Sequence, residues 1–600
     1  MDIITKNIDV WTSALMNKST AGRGTNGKQT AYGIKKLREL ILELAVRGLL
    51  VPQDPNDEPA SVLLEKIAEE KAWLVKEGKI KKQTPLSEIS EDEKPFDLPN
   101  SWEWVRLGEV TNYGISDKVE PNNIDDKTWV LELEDVEKET SKLLQKVRYT
   151  DRRFMSSKNR FSKNDVIYGK LRPYLDKVIV ADEDGVYTTE MIPVRGYENI
   201  TPQYLRLVMK SPYFIKYADE STHGMNLPRM GTDKARLALF PLTPENEQHR
   251  IVAKVDELTA LCDQLEQQQT DSNAAHQTLV EMLLGTLTNP VHPELVEGCS
   301  NREQCPSTGS GQTDFETNSG RTAFEAAWQR IAEHFDTLFT TEHSIDQLKQ
   351  TILQLAVMGK LVPQDPNDEP ASVLLEKITE EKARLVKNGK IKKQNPLPEI
   401  SEDEEPFDLP SDWEWVRLGE VTNYGISGKV EPDSVDDSIW VLELEDVEKE
   451  TSKLLQKVIY ADRRFMSSKN RFSKNDVIYG KLRPYLDKVI VADEDGVCTT
   501  EMIPVRGYDK IIPQYLRLVM KSPYFIKYAN ESTHGMNLPR MGTDKARLAL
   551  FPLIPEKEQH RIVAKVDELM TLCDTLKARI KLAQTTQIHL ADTIVEQAVA

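Results

Sequence analysis

The sequence predicts an α+β chain in which one mixed α/β domain occurs twice, the copies separated by long coiled-coil-like helices. Three observations predict it. The segment VPQDPNDEPASVLLEKI stands at 51–67 and again at 362–378, an offset of 311 residues. At that offset 101–245 and 412–556 align without a gap and differ at 15 of 145 positions. A solenoid repeat is only about 20–50 residues long, so this is a duplicated domain. On either side of each copy, apolar residues recur at spacings of three and four, the seam of packed helices.

In chain order, 1–50 is an N-terminal region carrying a helix. Ile34, Leu37, Ile41 and Leu44 mark its seam, and Ile345, Leu348, Ile352 and Leu355 repeat it. Gly48 and Gly359 stand where a left-handed C-cap belongs. A charged arm follows at 51–100 and again at 362–411. It holds a Pro/Asp-rich turn, a short helix near 61–77 and a polar stretch leading to Trp102. The mixed domains are 101–245 and 412–556. Within the first, DVIYGKLRPYLDKVIVADEDGVYTTEMIPV reads as strands broken by Gly and Pro turns, with DEDG as a hairpin signal. ITPQYLRLVMKSPYFIKYA reads as two helices begun by Pro202 and Pro212. A long helix at 246–289 carries Ile251, Val255, Leu258, Cys262 and Leu265. Its counterpart at 557–600 carries Ile562, Val566, Leu569, Cys573, Leu576, Ile580 and Ala583. Within 312–361 a second central helix is expected, with Phe324, Trp328, Ile331, Phe335 and Leu338 extending the seam ahead of Ile345. The joint at 290–311 has no counterpart, and its Gly, Ser and Pro content reads as a flexible linker.

Composition narrows the function. With 600 residues there is room for several domains, and 39% hydrophobic against 29% charged residues is a soluble globular balance. No run approaches the roughly 18 apolar residues of a membrane span, and the opening MDIITKNIDV lacks the apolar core of a secretory signal. Five cysteines (262, 299, 305, 498 and 573) rule out a secreted disulfide framework and favour the reducing cytoplasm. Cys299 and Cys305, near His292, fit no zinc spacing and read as incidental thiols. The net charge of −19 by itself argues against nucleic acid.

Catalytic motifs are weak. Gly22, Gly24, Gly27 and Lys28 fit G-x-G-x-x-G, but SALMNKSTA rather than a strand precedes them, and Gln29 replaces the Mg²⁺-binding Ser/Thr. The segment 178–182 resembles a Walker B strand, yet it is duplicated while the glycine loop is not; flexible loop and ordinary hairpin are the better readings. The chain has no Pro-Pro dipeptide and so no N-P-P-Y/F methylation loop. The acidic run LELEDVEKE at 131–139 does not by proximity alone make a metal-dependent nuclease. The recurring histidines, His223/His534 and His249/His560, have no Cys, Ser or second His at ligand or triad spacing.

The basic stretch says more. Residues 141–177 hold eleven Lys or Arg against three Asp, interleaved with Tyr149, Phe154, Phe161, Tyr168 and Tyr174. Local field matters more to a ligand than the sum of charges. Gly169-Lys170-Leu171-Arg172-Pro173 reads as a tight turn pushing two cations outward. A second loop at 221–230 mixes a turn with His223, Asn226 and Arg229. Cations position phosphates, while Arg and Asn read base edges. The DNA-contact candidates are Arg152, Arg153, Arg160, Lys170, Arg172, Lys177, Asn226 and Arg229. Their copies are Arg463, Arg464, Arg471, Lys481, Arg483, Lys488, Asn537 and Arg540. The competing reading is a solvated face that balances the acidic arms.

The plan resembles the specificity subunit of type I restriction–modification systems over nearly the whole chain. NIDVWTSALMNKSTAGRGTNGK and YGIKKLRELILELAVRGLLVPQDPNDEPA look like that family's N-terminal region. LPNSWEWVRLGEV and LPSDWEWVRLGEV look like starts of target recognition domains, and LTPENEQHRIVAKVDEL and LIPEKEQHRIVAKVDEL like the helices that close them. The resemblance implies a non-catalytic role. The subunit would bind a bipartite double-stranded DNA site and recruit two adenine-N6 methyltransferase subunits and ATP-driven translocase–nuclease subunits. This chain would hold no cofactor; S-adenosylmethionine, ATP and Mg²⁺ would belong to the partners, which can also supply basic surface around the duplex. No motif fixes the family's base-reading residues.

The chain departs from the family's usual pattern, in which the two recognition domains differ. Here they nearly coincide, so antiparallel helix pairs would relate them by a pseudo-two-fold axis, and the expected site is a near-palindrome. The 15 differences, among them Asp117/Gly428, Lys127/Ser438, Arg148/Ile459 and Tyr187/Cys498, could break that symmetry, and Arg148/Ile459, in the basic stretch, is the first to test by exchange. The rival readings are a nucleotide-dependent enzyme using 22–28, a symmetric protein scaffold that never reads DNA, and a self-sufficient restriction enzyme. The missing methylation loop weakens the last.

Overall fold

A computed structural model describes residues 2–17, 29–115, 117–197, 199–224, 227–288, 315–391, 393–535 and 537–599. The glycine loop at 22–28, the joint at 290–311 and Asn226 lie outside these residues. The chain divides into two compact units, residues 1–273 with 583–600, and residues 274–582.

In the first unit, helix Tyr32–Val46 buries Ile34, Leu37, Leu40, Ile41 and Leu44. Each contributes about 1.5–3 kcal/mol when fully removed from water. This face shares a core with Ile251, Val255, Leu258 and Cys262 of helix Glu245–Thr288 and with Ala591 and Ile594 of helix Glu556–Val599. Gly33 permits the close approach at the start of the helix: its N–H donates to Ala14 O at 2.9 Å, and a Cβ there would sit 2.3 Å from Trp11 O. Gly48, at φ +70°, ends the helix as expected, with Leu49 N–H donating back to Leu44 O. The arm helix is Ala60–Lys76, seated by Ala60, Leu63 and Ile67.

The mixed domain is closed by its own ends, because Glu103–Arg106 pairs antiparallel with Leu239–Leu242. Buried Arg106 ties the arm to this closure through Glu93, Ser87 O, Glu88 O and Leu237 O. Between the ends lie two sheets. The first has the order Lys118–Val119, Lys158–Phe161, Gly185–Tyr187, Trp129–Leu131, Val147–Arg148. The second places Val166–Gly169 between Met191–Val194 and Val178–Val180. Trp129, Phe161, Ile167, Tyr187 and Met191 fill the core between them. Helices Pro202–Lys210 and Pro212–Glu220 follow as the prolines predict.

Two local expectations are corrected. The DEDG segment is not a hairpin: Val178–Val180 pairs with Val166–Gly169, while Gly185–Tyr187 enters the other sheet between Phe161 and Trp129. Gly185 serves that crossing, since a Cβ on it would meet Phe161 Cζ at 2.4 Å and Trp129 O at 2.7 Å. The seam from Phe324 to Ile345 is not continuous. It breaks into Phe315–Glu333, the single turn Phe335–Leu338 and Glu342–Val357. The last starts afresh because Thr341 Oγ1 accepts from Ser344 N–H at 3.1 Å.

The second unit repeats the design. Glu342–Val357 packs Ile345, Leu348, Ile352 and Leu355 with Ile562, Val566 and Cys573, and with Val280, Leu284 and Leu287. Its two sheets have the same strand orders as the first unit's. Each 44-residue helix therefore begins in one unit and ends in the other. Among the described residues no helix is long and apolar enough to cross a membrane.

Candidate nucleic-acid interface

The two loops singled out in the sequence are one structure. Residues 170–177 connect the antiparallel strands Val166–Gly169 and Val178–Val180. Arg172 N–H donates to Pro228 O at 2.8 Å, and Met230 N–H donates to Lys170 O at 3.1 Å. A bridge pairs Leu171 with Arg229. The second unit repeats this with Arg483, Pro539, Met541, Lys481, Leu482 and Arg540.

The conformation is demanding. Arg172 and Asp176 flank the turn Pro173–Leu175 with φ of +50° and +48°, the left-handed region that non-glycine residues rarely adopt. Their copies Arg483 and Asp487 have +52° and +47°. A buried clamp holds the loop. Lys210 Nζ lies 2.5 Å from Asp176 Oδ2 and 2.6 Å from Ser141 Oγ, and Ser141 Oγ donates to Asp176 O at 2.6 Å. Burial pushes the Asp176 carboxyl up to about 6, and burial lowers Lys210. Lys521, Asp487 and Ser452 form the same clamp in the second unit.

Above the clamp the paired loops present cations beside apolar side chains. Arg172 and His223 are exposed, Lys170 is half-buried, and Tyr174 and Leu227 are 47% and 46% exposed. Arg229 is aimed by Glu190, with Nε–Oε2 at 2.8 Å and Nη2–Oε1 at 2.9 Å, and this pairing holds the Glu190 carboxyl below its usual range. Such a surface offers charge to phosphates and a flat ring and a guanidinium to bases.

The other candidates separate. Arg160 and Arg471 are exposed on the strands Lys158–Phe161 and Lys469–Phe472. Arg153 is exposed, resting on the Tyr149 ring at 4.6 Å with Asp126 at 2.7 Å, and Arg464 matches it on Tyr460 and Asp437. Arg152 turns inward to fully buried Asp135, with Nη1–Oδ2 at 2.5 Å and Nη2–Oδ1 at 2.9 Å; Arg463 does the same with Asp446. Burial alone would raise the Asp135 carboxyl, but Arg152, the Glu132 N–H and Gln145 together hold it low. This carboxylate of the acidic run therefore braces a turn. Lys177 and Lys488 donate inward to Leu133 O and Leu444 O at 2.8 and 2.7 Å. Asn537 is exposed. Of the interleaved aromatics, Tyr149, Phe161 and Tyr168 are core residues. Sequence reasoning missed Glu190, Ser141 and Lys210, which hold the loops from 20 to 39 residues away and carry no local signal.

The fifteen differences between copies avoid this surface. None falls in 158–186 or 220–242. Eight fall at 117, 122–124, 127–128, 148 and 150, and most of these meet at one corner of the five-stranded sheet. There Tyr149 N–H donates to Thr128 O, Thr150 N–H donates to Asp126 O, and Arg148 reaches Lys127 O and Glu183. In the second unit Ile459 stands exposed in place of Arg148.

The same cation-bearing loop surface is built twice, once on each unit, and each of two 44-residue helices runs from one unit into the other, the plan of a duplicated protein. The chain is 40% identical to the EcoAI type I restriction enzyme specificity subunit of Escherichia coli, over 100% of this chain and 99% of that one. It is 38% identical to the EcoEI specificity subunit of the same organism, over 99% of each. A solved HsdS subunit from Thermoanaerobacter tengcongensis aligns at 17% identity over 84% of this chain and 98% of that one, with a TM-score of 0.39. No family model matches. The chain belongs to the type I restriction enzyme specificity subunits.

Proposed function

We propose that this specificity subunit, a non-catalytic component of its restriction enzyme, reads a bipartite and near-palindromic DNA site through the paired loops of its two units. The observation that carries the reading is the identity of 158–186 and 220–242 with their copies while the domains differ elsewhere. Identical surfaces select identical half-sites, and a dyad-related pair of readers matches an inverted repeat. Within the loops, Lys170 and Arg172 are the phosphate-facing cations, and Arg229 with Tyr174 faces the bases. The corner at 122–128 and 148–150 is where the half-sites can diverge. The chain works in a complex with other subunits and DNA. Two methyltransferase subunits and translocase–nuclease subunits are the proposed partners, the complex acting in the cytoplasm. S-adenosylmethionine, ATP and Mg²⁺ are assigned to those partners.

The test is co-expression with the cognate methyltransferase subunit, followed by genome-wide mapping of N6-methyladenine. Two inverted half-sites, alike or differing at a single base, are expected around a fixed spacer. Two unrelated half-sites would sink the reading.

A further inference from the structure

We propose that each arm tip, outside its mixed domain, forms a further surface that grips the phosphate backbone of the duplex beside the site. This rests on the DNA-reading role proposed above. The first arm tip, 71–82, holds five lysines against one glutamate; the second, 382–393, holds five lysines and one arginine with no acid. That is a steep local excess in a chain of net charge −19.

The structure shows how these cations are used. Lys71 and Lys382 are turned inward, donating to Glu109 O at 2.8 Å and Glu420 O at 2.7 Å. One to two turns earlier in each helix, Lys66 and Lys377 are neutralised by Glu58 and Glu369, both at 2.6 Å. Beyond that point, Lys76, Lys79, Lys81 and Lys82 are exposed, as are Arg384, Lys387, Lys390 and Lys393. Among the described residues none of these eight is paired with a carboxylate. Stabilisation of the helix C-terminus accounts for Lys76, Arg384 and Lys387 alone, because that effect fades within the last turn. The others follow Gly78 and Gly389, whose φ of +68° and +66° carry the chain out of the helix.

The two tips also identify the partner's chemistry. Trp73 is 50% exposed, with Lys79 Nζ 4.3 Å from its ring, which alone would suit an apolar protein partner. In the second arm Arg384 takes the place of Trp73, and Asn388 that of Glu77. Replacing a ring by a cation and an acid by an amide would weaken an apolar contact and strengthen a contact with a polyanion.

The experiment uses the full chain assembled with its methyltransferase subunits. A duplex containing the mapped site and an unrelated duplex are titrated over a series of salt concentrations. The Lys76→Ala, Lys79→Ala, Lys81→Ala, Lys82→Ala chain is compared with wild type, and so is the Arg384→Ala, Lys387→Ala, Lys390→Ala, Lys393→Ala chain. Each phosphate contact contributes about 0.9 to the slope of log affinity against log salt, so each variant should flatten the slope by about 2–4. Both duplexes should lose affinity alike, and a set of Lys→Arg replacements should retain it. An unchanged slope, or a loss confined to assembly with the methyltransferase subunits, overturns the inference. If the wild-type assembly fails to prefer the mapped duplex, the DNA-reading proposal fails separately, and the slope on the unrelated duplex still reports on the arms.

Discussion

Asp176 and Lys210 are nearly enclosed, and the raised carboxyl pKa shows that burial outweighs the attraction between them. Their pairing therefore adds little net stability, while removing one partner leaves a buried charge uncompensated, at a cost of about 3–5 kcal/mol. Asp176→Asn should lower the unfolding free energy of the first unit by that amount at neutral pH. Asp176→Asn combined with Lys210→Met should recover part of it, because the Lys210 charge is gone while the buried Arg206 guanidinium still loses the Asp176 carboxylate. Denaturant unfolding of the three chains measures this; equal losses in the single and double variants would show that the pair itself is the source of stability. The pH dependence has a fixed sign. A carboxyl raised to about 6 when folded binds its proton more tightly than when unfolded. Its contribution is thus fully present below the unfolded value and is lost as pH rises through about 6. The Asp176 share of this decline should disappear in the double variant.

At the scale of elements, Thr201 supplies a test that the duplication provides ready-made. Its Oγ1 accepts from Tyr204 N–H at 3.3 Å and caps helix Pro202–Lys210, whereas Ile512 at the equivalent position has no capping oxygen. Thr201→Ile should destabilise the first unit by about 1 kcal/mol, the usual worth of such a cap, as read by thermal unfolding. The helices were legible because their signals are local: Pro202, Pro212, Gly48 and a seam of three and four spacings. The sheets were not, because strands of two to four residues carry too little alternation to show which strand they join. Gly185 read as part of a turn, yet its role comes from Phe161 and Trp129 packed against it. The site was legible only as composition. Arg152 and Arg153 are neighbours of the same charge, but Asp135 draws one inward and Tyr149 holds the other outward. The left-handed backbone at Arg172 and Asp176, which joins the two loops, has no counterpart in residue type.

At the scale of the whole molecule, the proposed bipartite reading makes helix length the ruler of the half-site spacing. Each long helix has 44 residues, about 66 Å at 1.5 Å per residue. Its first part is seated in one unit, by Ile251 to Cys262 or Ile562 to Cys573, and its last part in the other, by Val280 to Leu287 or Ala591 and Ile594. Adding one heptad to the middle of both helices keeps each apolar seam in phase to within about 20° and lengthens each helix by about 10 Å. At about 3.4 Å per base-pair step, the spacer in the mapped methylation site should grow by about three base pairs. Lengthening 290–311 with Gly and Ser should leave the spacer unchanged, because packed helices rather than the joint then set the distance. A spacer that follows the joint and ignores the heptads would place the ruler in the connection instead.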